Sequence, residues 1–199
     1  GWQDLSLALQ VGHHVLLSHG LAVPILRARG DAQTRVGITL NYSPAYPASD
    51  SPQDIAATKR HDGYANRWFM DPLYKGCYPQ DMWDLYGYQV PRVAAGDMEI
   101  ISRPVDFLGV NYYTRAVIQH AQGEFLNYRQ LHPEGEYTAM DWEVYPQAMT
   151  DLLVRLSNDY GAPDIYITEN GCAYEDVLTP DGQVHDPKRV EYLKLHLAA

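Results

Sequence analysis

The residues best placed to do chemistry lie in Ile165-Tyr166-Ile167-Thr168-Glu169-Asn170-Gly171. Four β-favouring residues read as a short buried strand, Glu169 stands at its C-terminal end, and Asn170-Gly171 is a turn pair able to take positive φ. In a parallel α/β sheet or barrel the C-terminal strand ends form the reactive rim, which makes Glu169 a candidate catalytic group. A solvated glutamate before an ordinary Asn-Gly turn fits the same spacing. A second strand, Val105 to Tyr113, ends in Asn111-Tyr112-Tyr113. Alternation puts Asn111 and Tyr113 on one face and Tyr112 on the other. A tyrosine hydroxyl beside a carboxylate can hydrogen-bond it and hold its orientation, while two polar residues capping a strand fit equally well.

The elements that must position these groups follow from local signals. A long helix is expected from Trp2 to Arg29, with Asp4 as N-cap, Leu5, Ala8, Leu9, Val15 and Leu16 on one apolar face, and Gly30 as the stop. His13, His14 and His19 do not share a helical face and read as core or surface histidines rather than metal ligands. Arg35 to Asn41 alternates as a strand. The following loop, with Pro44 and Pro47, reads as irregular. Ser51-Pro52-Gln53-Asp54 starts a helix expected to stop at Asp71-Pro72. A shorter helix is expected over Gln80 to Tyr88, a turn near Asp97, and a hairpin or irregular excursion over Ala116 to Met140. Pro146 opens a helix with a stripe of Met149, Leu152, Leu153, Leu156 and Tyr160, ended by Gly161 and Pro163. Asp186-Pro187 starts a last helix with Val190, Leu193 and Leu197 on one side. Helix-then-strand alternation predicts a parallel α/β sheet.

Three ordered stretches carry a resemblance. Thr168-Glu169-Asn170-Gly171 is similar to the nucleophile motif of the glycoside hydrolase family 1 β-glucosidases. Asp106-Phe107-Leu108-Gly109-Val110-Asn111-Tyr112-Tyr113 resembles that family's sixth-strand motif. Met140-Asp141-Trp142-Glu143-Val144-Tyr145-Pro146 resembles the loop that carries its outer-sugar tryptophan. The resemblance runs over nearly the whole chain, from the helix after barrel strand four to the helix after strand seven. It implies one partial (β/α)₈ TIM-barrel domain over residues 1–199, holding about strands five to seven. It implies a retaining β-glucosidase chemistry with Glu169 as nucleophile and Tyr113 touching it. Asn111 would line the pocket, and Trp142 would stack on a sugar; a plain loop anchor is the other reading of that tryptophan. No metal and no cofactor are implied.

The family's acid/base glutamate belongs to an Asn-Glu-Pro motif, and no Asn-Glu-Pro occurs in this sequence. Neither Glu143 nor Glu175 is a natural replacement. Retaining glycosidases need two carboxylates about 5–5.5 Å apart. A non-catalytic fragment or pseudo-enzyme that packs or binds sugar without turnover is therefore the alternative reading, and a myrosinase-like relative is also compatible. The chain has 199 residues, whereas a closed (β/α)₈ barrel takes about 250. The expectation is a truncated, split or clipped glycosidase whose open strands are covered by the missing barrel segments or by a second copy.

Formal net charge is -10 and the pI about 5.1, which argues against nucleic acid or an anionic membrane surface as partner. No apolar run reads as membrane-spanning and no signal peptide opens the sequence. Cys77 and Cys172 form no metal-ligand pattern; their number fits a reducing cytoplasm, the expected location, and would also fit one disulfide.

Overall fold

The computed structural model describes residues 4–162 and 164–199. Trp2 and Pro163, expected to open and to close helices, lie outside the described residues. Along the chain, α1 (Leu5–Arg29) leads to β1 (Gly37–Tyr42) and the short β2 (Ala45–Pro47). Next come α2 (Pro52–Asp62), a π-helical turn (Gly63–Arg67) and α3 (Trp68–Lys75). α4 (Gln80–Tyr86) and α5 (Asp97–Ile101) precede β3 (Phe107–Tyr112). β4 (Ala116–His120) and β5 (Tyr128–Leu131) form a hairpin, and α6 (Gln147–Tyr160), β6 (Asp164–Glu169) and α7 (Pro187–Ala198) complete the order.

The site-bearing sheet is parallel, in the order β1-β3-β6. Its two faces differ in kind. Tyr42, Leu108, Val110 and Tyr112 pack outward with Ala148, Met149, Leu152 and Leu156 of α6 and Met70 of α3 in one buried cluster. Ile38 and Leu40 also meet Leu16 of α1, Leu73 of α3 and Ile101 of α5. The opposite face carries Thr39, Asn41, Gly109 and Asn111, small or polar residues at the alternate positions. Gly109 is required there: a Cβ would meet Thr39 Oγ1 at 2.2 Å and Thr168 Cγ2 at 3.0 Å. A second small sheet, β2-β4-β5, stands beside it, with β4 parallel to β2 and antiparallel to β5.

Local rules account for much of this. Asp4 caps α1 by accepting from the Leu7 amide, Ser51 caps α2 by accepting from the Asp54 amide, and Gly161 ends α6 at φ 54°. The α6 stripe forms as its spacing predicts.

Several expectations are corrected. The buried stripe of α1 is Leu9, His13, Leu16, Gly20 and Val23, at spacings of four and three, while Val15 is 61% exposed. His13 belongs to that stripe because its ring nitrogens reach Tyr78 Oη at 2.9 Å and Asp97 Oδ2 at 3.1 Å. Gly20 belongs to it because any Cβ would sit 2.1 Å from the Ile100 carbonyl oxygen. Gly30 does end α1, but in an extended conformation. By length and composition α1 is apolar enough to cross a membrane, contrary to expectation; in this fold its inner stripe is packed on the domain. The segment with Pro44 and Pro47 holds a strand after all, since β2 is an edge among the described residues and tolerates a proline. The helical stretch passes through Asp71-Pro72 and stops at Gly76, φ 66°. Burial of Trp68, Met70 and Leu73 offsets the one backbone bond that Pro72 cannot make. A short helix, α5, replaces the turn expected near Asp97. On α7 the buried residues are Tyr192 and His196, and Val190, Leu193 and Leu197 are exposed. The β6 strand, expected to be buried, is largely exposed, because it pairs with β3 alone and forms an edge among the described residues.

Candidate active site

Asn41 and Asn111 stand one residue before the ends of β1 and β3, Glu169 ends β6, and the three are in register, Asn41 opposite Asn111 and Asn111 opposite Glu169. That last pairing depends on a β-bulge. Val110 pairs with Ile167, and the next pair is Asn111 with Glu169, so Thr168 is an extra residue on β6. A bulge re-aims the side chain after it. Simple alternation would place Thr168 and Glu169 on opposite faces. Here Thr168 Oγ1 donates to Asn111 Oδ1 at 2.7 Å, and the carboxylate of Glu169 still reaches the same rim. Asn111 in turn donates through Nδ2 to Asn41 Oδ1 at 2.7 Å, which fixes its amide orientation. Thr39, Leu40, Asn41, Phe69, Asn111 and Glu169 line a cavity of about 500 Å³.

Tyr113 follows β3 directly, and its hydroxyl donates to Glu169 Oε2. This bond pushes the Tyr113 phenol above its ordinary pKa, because ionising it would set two negative charges side by side. The carboxylate is thus tethered by a donor that stays protonated at neutral pH. The Trp142 ring lies 5.0 Å from the Tyr113 ring at 45° and also lines a second cavity of about 270 Å³ beside the β4–β5 hairpin. Its loop is set by Asp141 at φ 60° and by Thr138, whose Oγ1 accepts from the Trp142 amide at 3.3 Å. The four residues singled out in the sequence therefore stand along one rim: Asn111 and Glu169 in the cavity, Tyr113 bonded to Glu169, and Trp142 against Tyr113.

The neighbouring carboxylate Glu143 is engaged elsewhere. It is buried and holds Arg115 through two bonds, 2.8 and 2.9 Å, and the Arg115 guanidinium lies 3.4 Å over the Tyr145 ring. Glu175 is exposed. Both cysteines are free thiols. Among the described residues, no group of three or more His, Cys, Asp or Glu side chains could hold a metal ion.

Sequence reasoning missed three contributors. Asn41 closes the strand expected from Arg35, but no motif marks it as part of the site. The Thr168 bulge leaves no signal in a β-favouring run. Asn170-Gly171 reads as a turn pair able to take positive φ, yet neither residue adopts it. The Asn170 amide instead donates to the Tyr112 carbonyl at 3.0 Å and to Tyr192 Oη at 3.1 Å.

Comparison with known proteins finds relatives along the whole chain. β-Glucosidase A of Acetivibrio thermocellus is 39% identical over 99% of this chain and 45% of its own length. The β-glucosidase of Exiguobacterium marinum superposes with a TM-score of 0.93 at 41% identity, over 100% of this chain and 45% of that one. The family 1 β-glucosidase of Thermotoga maritima superposes with a TM-score of 0.94 at 31% identity, again over 100% of this chain and 45% of that one. The chain thus spans less than half the length of the curated relatives it matches. Those neighbours are TIM-barrel enzymes, and β1, β3 and β6 with their helices correspond to an arc of that barrel, which the described residues do not close. The sequence model of "Glycosyl hydrolase family 1" matches residues 1–199, and the chain belongs to that family.

Proposed function

We propose that this chain carries the nucleophile side of a retaining β-glucosidase active site, as one partial TIM-barrel domain over residues 1–199. The observation that carries the reading is the Tyr113–Glu169 hydrogen bond at the C-terminal rim of a parallel sheet, with the carboxylate aimed by a bulge. In this reading a β-glucoside sits in the rim cavity, with Asn111 reaching a sugar hydroxyl and Trp142 facing the outer sugar or aglycone. One Glu169 oxygen attacks the anomeric carbon and the bond to the leaving oxygen breaks. The departing oxygen takes a proton from a second carboxylic acid, which then deprotonates a water. That water attacks the anomeric carbon, releases Glu169 and leaves the sugar with retained configuration. The relatives' names support the substrate class: β-glucosidases from three organisms match, and the Thermotoga maritima enzyme has been solved with deoxynojirimycin bound.

The second carboxylate is to come from residues beyond these 199, in missing barrel segments or a second copy. Among the described residues, Glu169 is the one carboxylate lining the rim cavity. The same observation favours a second reading, in which the chain packs or binds sugar without turnover. A dinitrophenyl 2-fluoro-glucoside separates the two, because its leaving group needs little acid help. The proposal expects the intact mass to rise by one fluorosugar, located on the peptide holding Glu169. No adduct on folded protein supports the non-catalytic reading.

A further inference from the structure

We infer that Tyr192, on α7, is a positioning residue for the Tyr113–Glu169 pair; the inference rests on the site reading above and adds a residue that no motif marked.

The parallel ladder between β3 and β6 ends at the pair Asn111 and Glu169. Just beyond it, Tyr112 and Tyr113 have no ladder partner on the β6 side, although Tyr112 still pairs with Tyr42 of β1. Buried backbone carbonyls are rarely left without a donor. Two side chains take over from the ladder. The Asn170 amide donates to the Tyr112 carbonyl at 3.0 Å, and Tyr192 Oη donates to the Tyr113 carbonyl at 3.0 Å. Asn170 Nδ2 also donates to Tyr192 Oη at 3.1 Å, which closes the group into one clamp. Each clamped peptide belongs to, or adjoins, a group of the candidate site: Tyr113 bears the phenol, and Asn170 follows Glu169. The clamp therefore sets the separation between phenol and carboxylate across the bulged end of β6. A hydrogen bond is lost over a few tenths of an ångström, so small movements of these peptides reach the site directly.

Tyr192 is built to hold one position. It is 1% exposed. Its ring stacks on His196 at 3.9 Å and 26°, and His196 Nδ1 bonds the Tyr192 carbonyl at 2.8 Å. Burial pushes its phenol up to about 12, so the hydroxyl remains a donor through the neutral range. A phenylalanine would fill the same space as well. The tyrosine is thus explained by its oxygen, which among the described residues bonds Asn170 and the Tyr113 carbonyl alone.

Tyr192→Phe keeps the ring and removes the hydroxyl. The first readout is the titration of the Tyr113 phenol, followed by ¹³Cζ NMR on the full chain and assigned with Tyr113→Phe. The clamp predicts a fall of about half a pH unit or more toward the ordinary tyrosine value, because the bond to Glu169 weakens. The second readout is the rate at which the dinitrophenyl 2-fluoro-glucoside labels Glu169, expected to fall about tenfold with little change in the half-saturating concentration. Asn170→Ala is the second variant and should move the phenol titration in the same direction. In the double variant the effects should fall well short of their sum, since both residues act through one clamp. An unchanged Tyr113 titration in folded Tyr192→Phe, or fully additive effects in the double variant, would overturn the inference. Absence of labelling in the unaltered chain would count against the proposed chemistry alone, because the phenol titration still reads the clamp.

Discussion

The sheet end that carries Asn111 and Tyr113 is braced from outside by α6, and Asp62 is one of the buried carboxylates that tie α6 to the rest of the fold. Asp62, at the end of α2, accepts from Arg155 Nη1 at 2.6 Å and Nη2 at 2.9 Å, from Arg67 Nε at 2.9 Å and from Asn66 Nδ2 at 2.9 Å. Asp62→Asn removes the charge at nearly constant shape. Breaking a buried ion pair by taking one partner costs about 3–5 kcal/mol. That figure is reduced here for two reasons. Arg67 keeps a bidentate partner in Asp81, and Arg155 is about one-third exposed and retains Asp159. The expected loss is about 2–3 kcal/mol, or about 4–12 °C in Tm for a chain of this size. Urea titration and a thermal scan measure it. The pH dependence carries a sign. Burial works to raise the Asp62 pKa, but the Arg155 hydrogen bond and charge outweigh it and hold the carboxyl below its ordinary value. Its stabilisation is therefore present above the unfolded pKa of about 3.9 and is lost as pH falls through the lower folded value. The gap between the two proteins should close as pH drops below about 4. A loss under about 1 kcal/mol at pH 7, or a gap that widens in acid, would refute the reasoning.

Three further outcomes follow from the geometry. Leu152→Ala opens a hole between α6 and β3 in a fully packed cluster and should cost about 2–5 kcal/mol by urea titration. Gly109→Ala drives a methyl into Thr39 and Thr168, so it should lower Tm and slow fluorosugar labelling together, since both neighbours belong to the site face. Tyr113→Phe removes a charge-assisted hydrogen bond worth about 1.5–3 kcal/mol and should slow labelling about tenfold or more, while leaving the adduct on Glu169.

Signals confined to a few neighbouring residues could be read directly. Asp4 and Ser51 as caps, Gly161 as a stop and the α6 stripe all depend on contacts within one or two turns. The rim residues Glu169, Tyr113, Asn111 and Trp142 were marked by motif order, and the structure brings them onto one rim. What escaped depends on partners far along the chain. Tyr192 and His196 look like the polar side of α7, whereas Val190, Leu193 and Leu197 look like its core. The fold buries the first pair because Asn170 and the Tyr113 carbonyl, distant in sequence, satisfy the hydroxyl. His13 is a buried stripe member for the same kind of reason, through Tyr78 and Asp97. Pro72 reads as a stop until Trp68, Met70 and Leu73 are seen packed on either side of it. The bulge at Thr168 arises from pairing with β3, which no window on β6 contains.

The central claim is that Glu169 is the nucleophile of a β-glucoside-cleaving site. Intact-mass measurement of the chain after incubation with the dinitrophenyl 2-fluoro-glucoside, followed by peptide mapping, tests it most directly. The account predicts one fluorosugar on the peptide holding Glu169 and none in Glu169→Gln. An adduct on another residue, or no adduct on folded protein, would contradict it.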